Sequence, residues 1–393
     1  MHLLHVHDRL SVRGGADIHL LAIASRQAAE HRVSLAVGRV ESDASPPPGV
    51  ELHLTPGLGG RERGSDAAAR RLGELVDRLR PDLVHIHNVL QPAVMQAAAH
   101  CAPAVATVQD HRSFCPGRGR LLPDGTPCGA APSAQACAAC LDDPDYASMI
   151  TDLTRRRAQA LRGFSRVVVL SDYMRGELVS AGLDPRRLRV VPPFPWSPAA
   201  PDPPAANLPL APLVLASGRL VWAKGFHLLL EAWAMARPAL PLVIAGDGPA
   251  RAALEAQATQ LGLDRRRVHF AGWLPRPGVE GLLGRARLVV MPSLWAEPFG
   301  IAGLEAQARG VPVAAFDVGG VRDWLRPEHG WLTPAADVAA LAQALGEASL
   351  PGVAQRRGAL AASFAATHFD PELCMALLAS TYEEALAEPP LRS

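Results

Sequence analysis

Lysine is almost missing from this chain. Among its 39 basic residues there is one lysine, Lys224, and the other 38 (39 − 1) are arginine. Together with the abundance of Ala, Gly and Pro, this looks like a GC-rich coding bias, and it makes the surviving lysine informative. An excess of one charge is missing too. The formal net charge is +1, which gives no electrostatic basis for a nucleic-acid partner. No apolar run reaches the roughly 18 residues that a spanning helix needs. The start, Met1-His2-Leu3-Leu4-His5-Val6-His7, lacks the basic opening and long apolar stretch of a signal peptide and reads as a buried strand. These absences predict a cytoplasmic protein, with at most a peripheral association at the inner face of a membrane. No G-x-G-x-x-G follows the first strand. Gly14-Gly15 is preceded by Val12-Arg13 and followed by Ala16-Asp17, which disfavours a dinucleotide-dependent oxidoreductase. Internal repeats are absent as well.

What is present is globular. At 393 residues and 49% hydrophobic content, the chain is too long for one ordinary core and apolar enough for two. Short Val/Ile/Leu-rich runs alternate with helical segments. They include His2–His7, Arg32–Val37, Asp82–His87, Ala104–Val108, Arg166–Leu170 and Leu188–Val191, then Leu213–Ala216, Leu240–Ala245, Val268–Ala271, Arg287–Met291 and Val311–Phe316. Runs that do not alternate in polarity suit strands buried on both faces, as in parallel sheets covered by helices. Nine prolines between Pro192 and Pro212 exclude helix and central strand there and mark an interdomain linker. The expectation is an α/β protein of two Rossmann-like, doubly wound parallel-sheet domains. The first covers 1–195 with an irregular insert at 112–145, the linker 196–212 and the second domain 213–369.

Three segments after the linker carry chemistry. Ser217-Gly218-Arg219-Leu220-Val221-Trp222-Ala223-Lys224-Gly225 is a glycine-bearing turn between a strand end and a helix start. It holds two cations, which suits a diphosphate. A solvated basic loop would explain that turn alone. The retention of lysine here, where every other position has arginine, favours a compact ammonium acting on phosphate. Ile244-Ala245-Gly246-Asp247-Gly248-Pro249 is a tight glycine turn that lets a ligand or loop approach the backbone. Finally, Glu297-Pro298-Phe299-Gly300-Ile301 opens a helix near Phe299 that places Glu305 about two turns in. Carboxylates accept hydrogen bonds from vicinal hydroxyls, as on a sugar or ribose. Glu297 alone could be a helix-dipole effect.

Glu297-Pro298-Phe299-Gly300 with Glu305 eight positions after the first glutamate resembles the two-glutamate motif of retaining glycosyltransferases of family 4, which have the GT-B fold. The resemblance extends over nearly the whole chain. It includes the Ser217–Gly225 turn, Gly246–Pro249, Val268-His269-Phe270-Ala271-Gly272-Trp273 and Gly319-Gly320-Val321-Arg322-Asp323, with Gly14-Gly15-Ala16-Asp17 near the start. The resemblance implies a nucleoside-diphosphate sugar as donor and a hydroxyl acceptor of undefined identity, such as a glycan or a lipid-linked or polysaccharide precursor. It implies that Arg219 and Lys224 stabilise the leaving diphosphate. Glu297 would contact the donor sugar, Glu305 the ribose, and the backbone of Phe299, Gly300 and Ile301 the sugar or phosphate. Gly14, Gly15 and Gly246 would approach the donor, and Trp273 would stand by the base. It implies retention without a catalytic metal, and a last helix, 370–393, that returns to the first domain. The departure lies in Thr107-Val108-Gln109-Asp110-His111: Gln109 stands where many members carry the His that touches the donor sugar. Gln109 could make the contact as an amide, or His111 could replace it. That departure keeps a second reading open, a nucleotide-sugar-binding protein without transfer.

Cys115, Cys128, Cys137 and Cys140 lie 13, 9 and 3 residues apart within the insert. In a reducing compartment four clustered thiols suggest metal before disulfides. The expected cofactor is one structural zinc stapling a loop without a core of its own; in the binding-protein reading the same insert is a zinc interaction module. Unliganded thiols, disulfides or an iron–sulfur cluster are the alternatives.

Overall fold

The computed structural model describes residues 1–59, 65–196 and 212–388. Within it the chain divides into two compact units. The first comprises residues 1–123, 128–193 and 371–393, and the second 124–127 and 194–370. Most of the proline-rich stretch 196–212 falls outside the described residues, as do 60–64 and 389–393. The boundary lies at Pro193, two residues before the expected 195. Trp196 shows why: its carbonyl accepts from Arg276 Nη2 at 2.5 Å, inside the second unit.

The first unit is built on seven strands: β1 (His2–His7), β2 (Arg32–Val37), β3 (Val50–Leu54), β4 (Leu83–Ile86), β5 (Ala104–Val108), β6 (Arg166–Val169) and β7 (Leu188–Val190). They pair in the order β3-β2-β1-β4-β5-β6-β7, all parallel. The second unit has six: β8 (Leu213–Ser217), β9 (Leu242–Ala245), β10 (Val268–Gly272), β11 (Ala286–Met291), β12 (Val313–Phe316) and β13 (Gly330–Thr333). Their order is β10-β9-β8-β11-β12-β13, again parallel. Both orders reverse beside the first strand of the unit, the doubly wound arrangement whose ligands bind at the strand carboxyl ends near the reversal. In the second unit those ends are the loops after β8 and β11, which are the loops the sequence singles out.

Strand burial follows the apolar runs. All residues of β1, β4, β5, β9 and β12 are buried, as expected where helices cover both faces. Helix Pro371–Ala387 belongs to the first unit. Tyr382 is fully buried there, and Glu384 receives Arg166 and Arg189 at 2.6 and 2.5 Å. Two strands are absent from the sequence expectations, β3 and β13. Each lies at a sheet edge. β3 is exposed at Glu51 and Leu54, so its Val-Glu-Leu-His-Leu pattern lacks the continuous apolar signal of the interior strands. Among the described residues no helix is long and apolar enough to cross a membrane.

Candidate active site

The loop after β8 leads through Gly218 and Arg219 to a single 3-10 turn, Trp222–Lys224, and then helix Phe226–Ala236. Gly225 joins the turn to the helix at φ +66°, and a Cβ there would lie 1.8 Å from the Pro292 carbonyl oxygen. Only glycine lets this turn press against the loop after β11. Leu294 and Trp295 then donate their N–H groups to Ala223 O at 2.9 and 3.1 Å. The close approach delivers Lys224 to Glu297, with Nζ 2.6 Å from Oε1 and 4.9 Å from the Trp295 ring centroid. Ser293 Oγ donates to the same oxygen at 2.5 Å. Burial pushes the Glu297 carboxyl up, but Lys224, Ser293 and Trp295 outweigh it and hold the group below the ordinary carboxylate range. Arg219 is exposed on the same turn.

Glu297 is gripped from behind as well. Gly320 N donates to its carbonyl at 2.7 Å, and a Cβ on Gly319, at φ +55°, would sit 2.3 Å from that oxygen. Gly300 is left-handed and caps helix Ile301–Ala308. The helix thus starts at Ile301, not near Phe299, and Glu305 stands about one turn in rather than two. The reason is local: Phe299 is buried, with its carbonyl accepting from Trp324 Nε1 at 2.5 Å. Glu305 Oε1 meets Arg276 Nη2 at 2.7 Å, and Arg276 Nε bonds Glu280 Oε1 at 2.8 Å. Burial raises the Glu305 carboxyl, and Arg276 only partly opposes it.

The glycine turns knit the neighbouring strand ends together. Gly218 N donates to Ala245 O at 3.0 Å, Leu220 N to Asp247 O at 2.9 Å and Gly246 N to Gly272 O at 2.7 Å. Trp273, just past β10, is 53% exposed.

In the first unit, Gly14 caps helix Gly15–Gln27. Asp17 in its first turn is buried, 3.1 Å from Arg9 Nη2 and 3.7 Å from His7 Nε2. Gln109 Nε2 lies 3.3 Å from His19 Nδ1, and burial drives the His19 imidazole down to about 4. His111 turns elsewhere. It is buried with Nε2 3.2 Å from Tyr173 Oη and its ring edge-on to Phe114. Gln109 and His111 are therefore not interchangeable neighbours of one spot.

The four insert cysteines are all half-buried and unpaired. Burial raises the Cys140 thiol, and Cys115 and Cys128 raise it further, with a smaller push from Cys137. Arg120 N–H donates to Cys115 Sγ at 3.4 Å. Among the described residues, the groups whose metal-ligating atoms lie within 4.8 Å of one another are His5/His85/His87 and His7/Asp8/Asp17; no three of these thiols join them.

Three site residues carry no warning in the sequence. Ser293 and Trp295 become significant only because Gly225 seats the turn against their loop. Arg276 is one arginine among many, and its partner Glu305 lies 29 positions away (305 − 276).

Two family models match, one described as Glycosyltransferase Family 4 over residues 13–194 and one as Glycosyl transferases group 1 over residues 207–351. The chain belongs to the glycosyltransferases of GT-B type. It is 35% identical over 181 residues to the 2-deoxystreptamine N-acetyl-D-glucosaminyltransferase of Streptomyces fradiae, covering 44% of this chain and 41% of that protein. It is 28% identical over 318 residues to the glycogen synthase of Mycobacterium tuberculosis, covering 77% and 69%. Alignments to relatives above 34% identity, such as an uncharacterised Methanocaldococcus jannaschii glycosyltransferase and a Rhizobium meliloti lipopolysaccharide-core enzyme, span only 32% and 38% of those proteins. The fold also matches the sucrose-phosphate synthase of Thermosynechococcus elongatus (TM-score 0.74, 19% identity, 98% and 100% covered). It matches Anabaena HepE in complex with UDP and glucose as well (TM-score 0.71, 20% identity, 98% and 99% covered).

Proposed function

We propose that this GT-B protein is an active transferase, moving a sugar from a nucleoside-diphosphate sugar to a hydroxyl acceptor with retention of anomeric configuration. One observation carries the reading: the chain's single lysine sits in the turn after β8, bonded to buried Glu297 and beside exposed Arg219. A diphosphate entering there meets two cations and the start of helix Phe226–Ala236. Glu297, kept ionised by its partners, is placed to accept from donor-sugar hydroxyls, and Glu305 to accept from the ribose. No side chain is assigned as a nucleophile. Gln109 takes the donor-sugar contact, since His111 is engaged by Tyr173.

Because the HepE complexes hold UDP and UDP-glucose, UDP-sugars head the donor panel. Thermal shift with nucleotides and nucleotide sugars identifies the base, since a ligand of the native state raises its stability. NMR of the product then reads the anomer. An inverted product removes the retaining assignment. Donor binding without transfer to any hydroxyl acceptor favours the binding-protein reading, to which the Gln109 departure points.

Zinc at Cys115, Cys128, Cys137 and Cys140 is a second proposal. It is supported by four thiols in one insert, three of which, Cys115, Cys128 and Cys137, raise the cost of ionising the fourth, Cys140. A cation binding thiolates removes that mutual repulsion.

A further inference from the structure

Strand β1 places His5 opposite His85 of β4, and His87 follows one residue after β4 ends. All three are buried, with ring nitrogens close enough together to share a metal. Their hydrogen bonds show a different use. Gln27 Oε1 accepts from His5 Nε2 at 2.7 Å. Burial drives His5 down to about 4, so the ring is neutral and its Nδ1 is bare. The proton in the 2.9 Å contact between His5 Nδ1 and His87 Nε2 therefore belongs to His87. On the other side, Gln27 Nε2 donates to Tyr382 Oη at 3.2 Å. Tyr382 spends its own proton on His85 Nδ1 at 2.7 Å, since otherwise a buried phenol proton has no acceptor. His85 Nε2 then donates to Thr107 Oγ1 at 2.6 Å. Both nitrogens of His5 and of His85 are occupied, so the trio keeps a single free lone pair, on His87 Nδ1, where a three-histidine metal site needs three.

At the end opposite Thr107 the chain of bonds stops at His87 Nδ1, buried and without a partner. His87 lines a small cavity together with Thr107, Gln109 and Ser113, and the space open to a water centre is about 10 Å³. Gln109 Oε1 and Ser113 Oγ are likewise buried without partners. The lining thus offers two bare acceptors, His87 Nδ1 and Gln109 Oε1, and two hydroxyls, Thr107 and Ser113, with protons to give. A sugar hydroxyl has one proton for two acceptors, and its ring does not fit. Water has two protons and two lone pairs, and the volume is about that of one water.

We propose that one water in this cavity ties His87 to Gln109, so that His87 and Tyr382 are positioning residues for the Gln109 amide. The inference rests on the transferase reading, in which Gln109 faces the donor sugar. With Oε1 held by water and one N–H by His19, the amide keeps a single N–H for a sugar hydroxyl, in one fixed direction. A helix at the far end of the chain thereby sets the orientation of a donor contact.

Steady-state kinetics of Tyr382→Phe, His87→Leu and His87→Asn test this. Loss of one fixed hydrogen bond predicts a donor KM roughly tenfold higher in the first two, with acceptor KM unchanged. His87→Asn keeps an acceptor oxygen and recovers most of the loss. In a Gln109→Ala background, Tyr382→Phe adds nothing further. Additive effects in that double variant would overturn the proposal, because a merely structural role does not depend on Gln109. Nitrogen-15 NMR of the unaltered protein gives a readout without activity: His87 carries its proton on Nε2, and a proton on Nδ1 sinks the relay. Absence of transfer from every nucleotide sugar counts against the transferase reading and leaves the NMR result standing.

Discussion

Lys224 Nζ donates to Glu297 Oε1 at 2.6 Å, and that contact joins the loop after β8 to the loop after β11. Besides its proposed part in transfer, the pair is structural. Glu297 is buried, so its carboxylate needs the ammonium whether or not a donor is present.

Lys224→Ala therefore loses transfer and also stability, by roughly 2–3 kcal/mol, because a buried carboxylate is left unpaired. Lys224→Ala combined with Glu297→Gln regains most of the stability and none of the activity. Urea melts and turnover assays on the same preparations separate the two effects. A double variant no more stable than Lys224→Ala would show that the pair does not hold these loops.

Glu305 behaves differently, since its carboxyl is raised and Arg276 restrains the rise. Its carboxylate is lost as pH falls through that raised value, so nucleotide affinity weakens on acidification. Arg276→Leu moves the onset of the loss to higher pH. Calorimetric titration with the preferred nucleotide at several pH values reads the shift. Identical pH profiles would mean that Glu305 does not hold the ribose as a carboxylate.

Acid sensitivity has a separate origin in the first unit. His5 and His19 are pushed down to about 4 by burial, against about 6.5 in an unfolded chain. A base with a depressed native value binds its proton preferentially in the unfolded state. Its stabilisation is complete above about pH 6.5 and is lost as pH falls toward 4. His5 alone accounts for a few kcal/mol over that window. Tm should fall steadily between pH 6.5 and 4.5, and a flat Tm across it would contradict neutral burial of these rings.

Protein purified without added zinc is expected to contain about one equivalent of metal, lost on alkylation of the four insert cysteines. Elemental analysis with thiol titration checks this. Four free thiols, no metal and an unchanged fold would end the zinc proposal.

The sequence made the interior of both sheets legible, because strands such as β1 and β12 are continuous apolar runs. Edge strand β3 is hidden because its exposed residues dilute that signal, and β13 because it is four residues long, Gly-Trp-Leu-Thr, too short for an apolar run. The same division holds in the candidate site. Gly225 and Gly319 could be read as turns, but not that their missing side chains let two loops touch. Helix Ile301–Ala308 starts later than its motif suggests, since buried Phe299 belongs to the loop. Arg276 and Tyr382 depend on contacts across long separations and no local pattern announces them. Gln109 stands out in the sequence as a departure. What the fold adds is its company: His19, Ser113 and the histidines behind them.

Scarcity of lysine has a practical consequence at this site. The chain contains one side-chain amine, and it rests 4.9 Å from the centre of an indole ring. Reductive methylation with labelled formaldehyde would install a single methylated side chain in a 41.6 kDa protein, distinct from the terminal amine. Ring current from Trp295 displaces that resonance, and any ligand that draws the ammonium away from Glu297 shifts it again. The protein thus carries a built-in spectroscopic reporter at the one position where the leaving diphosphate is proposed to arrive.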